Sequence, residues 1–181
     1  MTLDDLTRVY ETRAVRAYGL EGVSQLEHAL QSAHLARRAG KSDALVVACL
    51  LHDVGNLVHD LGENPAAEGV DDRHEALGAE WLATWFPAEV VDPVRLHVAA
   101  KRYLVAADPT YAGRLSADSV LSLRLQGGPM DAVERAAFEA EPFWRDAITL
   151  RRFDEEAKIP GAETPSFRDF LPVIAACARC A

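Results

Sequence analysis

A chain of 181 residues, 49% of them apolar and 26% charged, is long enough to bury a sizeable core within one domain. Its formal net charge of −9 argues against nucleic acid or an anionic membrane as the main partner, since both need basic patches, but leaves room for a locally positive pocket that takes a small anion. No apolar run approaches the roughly 20 residues of a membrane span, the opening "MTLDDLTRVYE" lacks an apolar signal-peptide core, and three cysteines, an odd number, point to a reducing cytoplasm.

Helical periodicity dominates the chain and strand alternation is nearly absent. Residues 3–16 form a first amphipathic helix, which the two glycines of "YGLEG" break. Ser24 and Glu27 make an S-x-x-E capping box for a helix to about Arg38, stopped at Gly40. Ser42 opens the next, which carries "ALVVACLLHD" and ends near Gly55. Residues 60–72 hold Gly, Asn, Pro and Asp and read as a loop, from which Asp72 caps a helix bearing "HEALGAEWLATWF". Another helix follows Pro93 with "VRLHVAAKRYL"; "DPTYAGR" is a loop, and Ser116 caps a helix ending at "QGG". Two or three more helices fill the remainder, the last after "TPS". With no internal repeat and no low-complexity linker, the sequence predicts a single all-α domain over residues 1–181. Cys49 reads as a small core residue, and the C-x-x-C of Cys177 and Cys180 is a weak signal for redox or metal chemistry.

"LLHDVGN", residues 50–56, sets His52 beside Asp53 at the end of an apolar helix. A carboxylate partly removed from water must be paired, hydrogen-bonded or bound to a metal. His28, His52, His74 and His97 fall on four separate predicted helices, 22–24 residues apart. Helices in a bundle can aim such residues at one central point. His34 lies six residues after His28, about 240° around the helix, and His59 lies beyond Gly55, where helical phase is lost; both are left out.

The order H…HD…H…H…D resembles the HD-domain metal-dependent superfamily, in which the HD aspartate bridges two metals. The matching residues are His28, His52, Asp53, His74 and His97, and Asp154 in "LRRFDEEAK" is the candidate for the closing aspartate. Four imidazoles and two carboxylates suit iron, manganese or zinc. A bridging carboxylate holds two metals about 3.5–4 Å apart, close enough to act on one substrate. Such a bridge would also explain a carboxylate at the end of a buried helix.

The surroundings of these ligands narrow the resemblance. Lys101 stands one turn after His97 and Arg151 three residues before Asp154, an arrangement suited to holding a phosphate or phosphonate against the metals. On spacing alone both could equally be surface cations. Ser119, Ser122 and Gln126 make a polar stripe at i, i+3 and i+7, readable as part of a site or as a solvated face. Tyr18 and Glu21 precede His28 in "YGLEG". The runs "YGLEGVSQLEHALQSA", "LLHDVGN", "DDRHEALGAEWL", "HVAAKRYL", "SADSVLSLRLQGGPM" and "LRRFDEEAK" together resemble the HD-domain mixed-valent diiron oxygenases of phosphonate degradation, over roughly residues 18–158.

That resemblance implies two Fe ions, as Fe(II)/Fe(III), and O2-dependent cleavage of the C–P bond of a 1-hydroxy-2-(substituted amino)ethylphosphonate to phosphate and a carboxylate. It implies that Tyr18 ligates an iron until substrate displaces it, and that Glu21 faces the cationic amine end. It implies that Lys101, Ser119, Arg151 and Gln126 hold the phosphonate. The family commonly carries HDxGH, whereas the second histidine is Asn56 here. Asparagine can still hydrogen-bond to a phosphonate but cannot carry charge. The runner-up reading is an HD-type phosphohydrolase that would use the same metals and the same cations on a small phosphoester; a third is a non-catalytic sensor of a phosphonate or nucleotide.

Overall fold

The computed structural model describes residues 3–15, 17–18, 22–58 and 69–179, with the backbone alone for 17–18. The architecture is all-α. Helix α1 spans Leu3–Thr12, α2 Gln25–Arg38, α3 Asp43–Leu51, α4 Gly55–Val58, α5 His74–Leu82, α6 Ala88–Ala107, α7 Ala117–Leu125, α8 Ala132–Glu139, α9 Trp144–Glu156 and α10 Leu171–Cys177. Among the described residues the one strand pairing is a two-residue antiparallel ladder, with Ala17 opposite Ser24 and Tyr18 opposite Val23. It bridges the predicted break and packs residues 17–18 against the start of α2.

Local chemistry accounts for most of the helix ends. The predicted capping box closes in both directions: the Glu27 N–H donates to Ser24 Oγ at 3.1 Å, and the Ser24 N–H donates to the Glu27 carboxylate at 2.8 Å. Ser42 and Ser116 accept from the backbone N–H three residues on, as their spacing predicts. Gly40 ends α2 at φ 65°, a conformation that costs a residue with a Cβ.

Three predicted boundaries are corrected. Helix α3 stops at Leu51, not near Gly55; His52 is its C-cap and a turn separates it from α4. Helix α5 has Arg73, not Asp72, at its N-cap, with no side-chain cap from that residue; Asp72 Oδ1 instead accepts from the His74 backbone N–H and ring. Helix α6 begins at Ala88 and runs through Pro93, which lacks only the N–H that would reach the Glu89 carbonyl, so continuous packing on both sides outweighs one lost hydrogen bond.

Helix α3 is the axis of the molecule. All residues from Leu45 to Leu51 are buried, and the helix is packed by α2, α6, α9 and α10. Its Leu50 and Leu51 share one core cluster with Phe86, Val94, Leu150, Phe170 and Ile174, each fully buried. Each such side chain contributes about 1.5–3 kcal/mol of hydrophobic stabilisation relative to exposure. Leu96, Ala100, Met130, Phe138 and Ala147 form a smaller cluster beside it. No helix among the described residues is long and apolar enough to cross a membrane.

Candidate metal centre

The packing of α2, α5, α6 and α9 around the end of α3 brings six predicted residues together. They form two groups: His28, His52 and Asp154, and Asp53, His74 and His97. Within each group one ligand atom from every residue lies within 4.8 Å of the others. His28 Nε2 is 3.1 Å from His52 Nε2, and His74 Nε2 is 3.2 Å from His97 Nε2. Neighbouring residues near a helix end point about 100° apart, which is how adjacent His52 and Asp53 come to serve different groups. Asp53 stands between them. Its Oδ2 is 3.7 Å from His28 Nε2, and its Oδ1 is 3.5 Å from His52, 3.6 Å from His74 and 3.7 Å from His97.

The ring orientations are fixed from behind. Nδ1 of His28 donates to the Ala157 carbonyl at 2.8 Å, that of His52 to Cys49 at 2.8 Å and that of His97 to Val94 at 2.7 Å. His74 Nδ1 donates instead to Asp72 Oδ1 at 2.7 Å. Each ring thereby presents an Nε2 lone pair inward, as a metal requires.

The electrostatics fit cations. Asp53 Oδ2 and Asp154 Oδ1 are buried oxygens without a hydrogen-bond partner among the described residues, a costly state that a coordinated cation relieves. Burial pushes the Asp53 pKa up, but the neighbouring His52, His74 and His28 hold it well below the usual carboxylate range. Burial acts likewise on Asp154, and the Arg151 charge overrides it. Burial pushes His97 down to about 3, helped by the His74 and His52 charges, and lowers His52 as well. These imidazoles are therefore neutral, the form that binds metal. Burial opposes protonation of His74 too, but the Asp72 hydrogen bond and the Asp53 charge raise it to about 9. A metal there competes with that proton. The residues fit a dinuclear metal site.

Beside this centre lies a buried cationic wall. Lys101 is 3% exposed and donates to Ser122 Oγ at 2.7 Å. Burial, then the Arg151 charge, lowers it to about 7. Arg151 is 4% exposed, so the reading of these two as surface cations fails. The guanidinium is well occupied: it donates to Asp154, to Glu155, to Ser119 Oγ at 2.9 Å and to the Tyr111 hydroxyl at 2.9 Å. Ser119 is buried at 5% exposure, which rules out a solvated face. Gln126 is half-buried, and its Oε1 has no partner among the described residues. Asn56 is half-buried beside the turn, its N–H donating to the Asp53 carbonyl at 3.0 Å. The Tyr18 side chain and all of Glu21 lie outside the described residues, as do His59 and Cys180. His34 joins neither group.

Sequence reasoning missed four residues here. Lys158 donates to Ser116 Oγ at 3.0 Å and Ser119 Oγ at 3.2 Å, and pairs with Glu155 at 3.5 Å. Its spacing, four after Asp154, repeats that of Lys101 after His97, a signal that was legible. Glu155 follows Arg151 by four, the usual helical ion-pair spacing. Asp72 was read only as a helix cap. Tyr111 reaches Arg151 from a loop 40 residues away, with no local signal.

Comparison with known proteins bears on this geometry. The HD domain model matches residues 26–140, a span that includes five of the six clustered residues and stops before Asp154. The chain is 42% identical over 166 residues to a [1-hydroxy-2-(trimethylamino)ethyl]phosphonate dioxygenase (glycine-betaine-forming) of Leisingera caerulea, covering 92% of this chain and 85% of that protein. It is also 42% identical over 160 residues to a hydroxymethylphosphonate dioxygenase of Gimesia maris, covering 87% of this chain and 79% of that protein. A fold of this kind, a paired His/Asp centre and likeness over nearly the whole chain agree: the protein belongs to the HD-domain phosphonate dioxygenase family.

Proposed function

We propose that this chain uses an Fe(II)/Fe(III) pair and O2 to cleave the C–P bond of a 1-hydroxyphosphonate, releasing phosphate and a carboxylate. The observation that carries the reading is a buried ammonium, Lys101, one helical turn from His97 and so beside two groups of metal-ligating residues. Similarity to two proteins named as hydroxyphosphonate dioxygenases supports it. His28, His52 and Asp154 would hold one iron, His74 and His97 the other, and Asp53 would bridge them. The iron pair supplies the one-electron chemistry that O2 requires.

The chain's own residues do the rest. Lys101, oriented by Ser122, holds an oxygen of the phosphonate. Arg151 spends donors on Asp154 and Glu155, so it serves both as a brace for that ligand and as a source of positive potential. Ser119 and Gln126 complete the polar wall, and Asn56 offers a neutral hydrogen bond. The resemblance assigns Tyr18 to a metal-ligand role from which substrate would displace it. The resemblance assigns Glu21 to a cationic substituent on the substrate's second carbon. The substrate named for the Leisingera relative carries such a group, and hydroxymethylphosphonate does not. Glu21 therefore favours a 1-hydroxy-2-(substituted amino)ethylphosphonate.

The test is product formation with and without O2. Iron-loaded protein in air should release phosphate and glycine or glycine betaine from the matching substrate, with slower turnover of hydroxymethylphosphonate. Without O2 it should release none. A visible ferric–tyrosinate band should bleach as substrate is added and be absent from Tyr18→Phe. Phosphate release from ordinary phosphoesters, indifferent to O2, would overturn the oxygenase reading in favour of a phosphohydrolase.

A further inference from the structure

We infer that Asp72 is a positioning residue for the His74 half of the metal centre, its carboxylate fixing the His74 ring and strengthening that half's hold on a cation. The inference rests on the dinuclear reading of the site. Three observations converge on it.

The first is the acceptor itself. Three of the four site histidines rest their Nδ1–H on a neutral backbone carbonyl, whereas His74 rests on a carboxylate oxygen at 2.7 Å. The pair is largely removed from water, with side-chain exposures of 15% for His74 and 13% for Asp72. A charged acceptor polarises the ring more than a carbonyl does and makes Nε2 the better donor to a metal.

The second is what Asp72 holds. An aspartate at the start of a helix ordinarily accepts from amides of the first turn. Here α5 has no side-chain cap, and Asp72 Oδ1 takes the His74 backbone N–H at 3.2 Å together with the His74 ring. One carboxylate oxygen thus holds both the ring and the first backbone amide of α5 at His74.

The third is the backbone between them. Arg73 has φ 51° and ψ 36°, and among the described residues it is the one non-glycine with positive φ. This left-handed conformation is sterically unfavourable for a residue with a Cβ. It folds Asp72 back over the first turn of α5, where the carboxylate meets the ring two residues on. Strain of this kind persists where the surrounding structure imposes it, and it gathers at functional sites.

The two halves of the centre are therefore supported differently. Asp154, in the half with His28 and His52, shares its charge with Arg151. The half with His74 and His97 receives the additional charge of Asp72. Removing that charge weakens one cation and spares the other.

The experiment is a titration of full-length, metal-depleted protein with Co(II) under anaerobic conditions, read by calorimetry and by visible absorption. Wild type should bind two ions. Asp72→Ala should bind one as wild type does and the second 10- to 100-fold more weakly, the usual effect of losing such a partner. Asp72→Asn, which keeps an acceptor but no charge, should fall between and shift the visible bands of the second ion. Asp72→Glu should recover part of the affinity. Two ions at wild-type affinity and with wild-type bands in both Asp72→Ala and Asp72→Asn would overturn the inference. So would equal weakening of both ions with a lowered melting temperature, which would mark a general structural role. Failure of the dinuclear reading would show separately, as wild-type protein binding fewer than two ions.

Discussion

Gly55 lies two residues after Asp53, and its substitution by alanine tests how tightly the centre is held. The need for glycine here is one of space. A Cβ on Gly55 would lie 2.0 Å from the His74 carbonyl oxygen, 2.7 Å from its carbonyl carbon and 2.8 Å from its Cα. All three are backbone atoms, so no rotamer change relieves the clash. Ordinary carbon–oxygen contacts are well above 3 Å, so the start of α5 must retreat from α4 by about 1 Å or more. Metal–ligand distances tolerate only about 0.2 Å. Gly55→Ala should therefore move His74 out of reach and release the cation it shares with His97, while the His28, His52 and Asp154 group keeps its own. Overpacking of this kind costs about 1–3 kcal/mol, and a backbone clash belongs at the upper end. For a chain of this length that is a melting temperature lower by about 6–12 °C. Gly78→Ala supplies the graded comparison. Its Cβ would meet the Gly55 nitrogen at 3.1 Å and Val54 Cγ1 at 3.2 Å, a lesser intrusion at the same crossing. Metal analysis and thermal melts of both variants check the reasoning. Full metal content in Gly55→Ala, with a melt within about 1 °C of wild type, would refute it.

Further outcomes follow from the site. Asp53→Ala should lose both metals, because it removes the carboxylate shared by the two groups, and retention of a full complement would sink its assignment as the bridge. Lys101→Ala should weaken phosphonate binding by about 10- to 150-fold, corresponding to roughly 1.5–3 kcal/mol for a charge-assisted hydrogen bond, while metal content stays near normal; Arg151→Ala should weaken binding too, but with some loss of metal, since Arg151 also braces Asp154. Burial, then the Arg151 charge, lowers Lys101 to about 7, so its cationic form prevails below that pH and is lost above it. Phosphonate affinity should accordingly fall as pH rises through neutrality in wild type and fall less in Lys101→Arg, whose charge persists; identical profiles for the two would show that Lys101 does not hold the anion.

Most of the residues that gather in the centre were legible because they announce themselves locally; Asp154 was found only through the family resemblance. A histidine in an apolar helix, a His-Asp pair at the end of "ALVVACLL" and capping serines before "QLEH" and "ADSV" are short-range patterns, and short-range patterns obey helical geometry wherever the helix is placed. The all-α class follows from the same periodicity. What no local pattern holds is how the helices meet. Sequence spacing left Ser119 divided between site and surface; its burial decided it, with its hydroxyl 2.9 Å from Arg151. Tyr111 reached the same guanidinium only because a loop was carried across α9. Asp72 looked like an ordinary cap until one left-handed residue brought its carboxylate onto the His74 ring as well as the His74 amide. Even the reason for Gly55 was invisible in "HDVGN": with no unusual φ of its own, it is required because another helix start occupies the space its side chain would fill. Composition and periodicity determine which side chains a helix offers; only tertiary packing, through close contact and exclusion of water, decides which of them face one another.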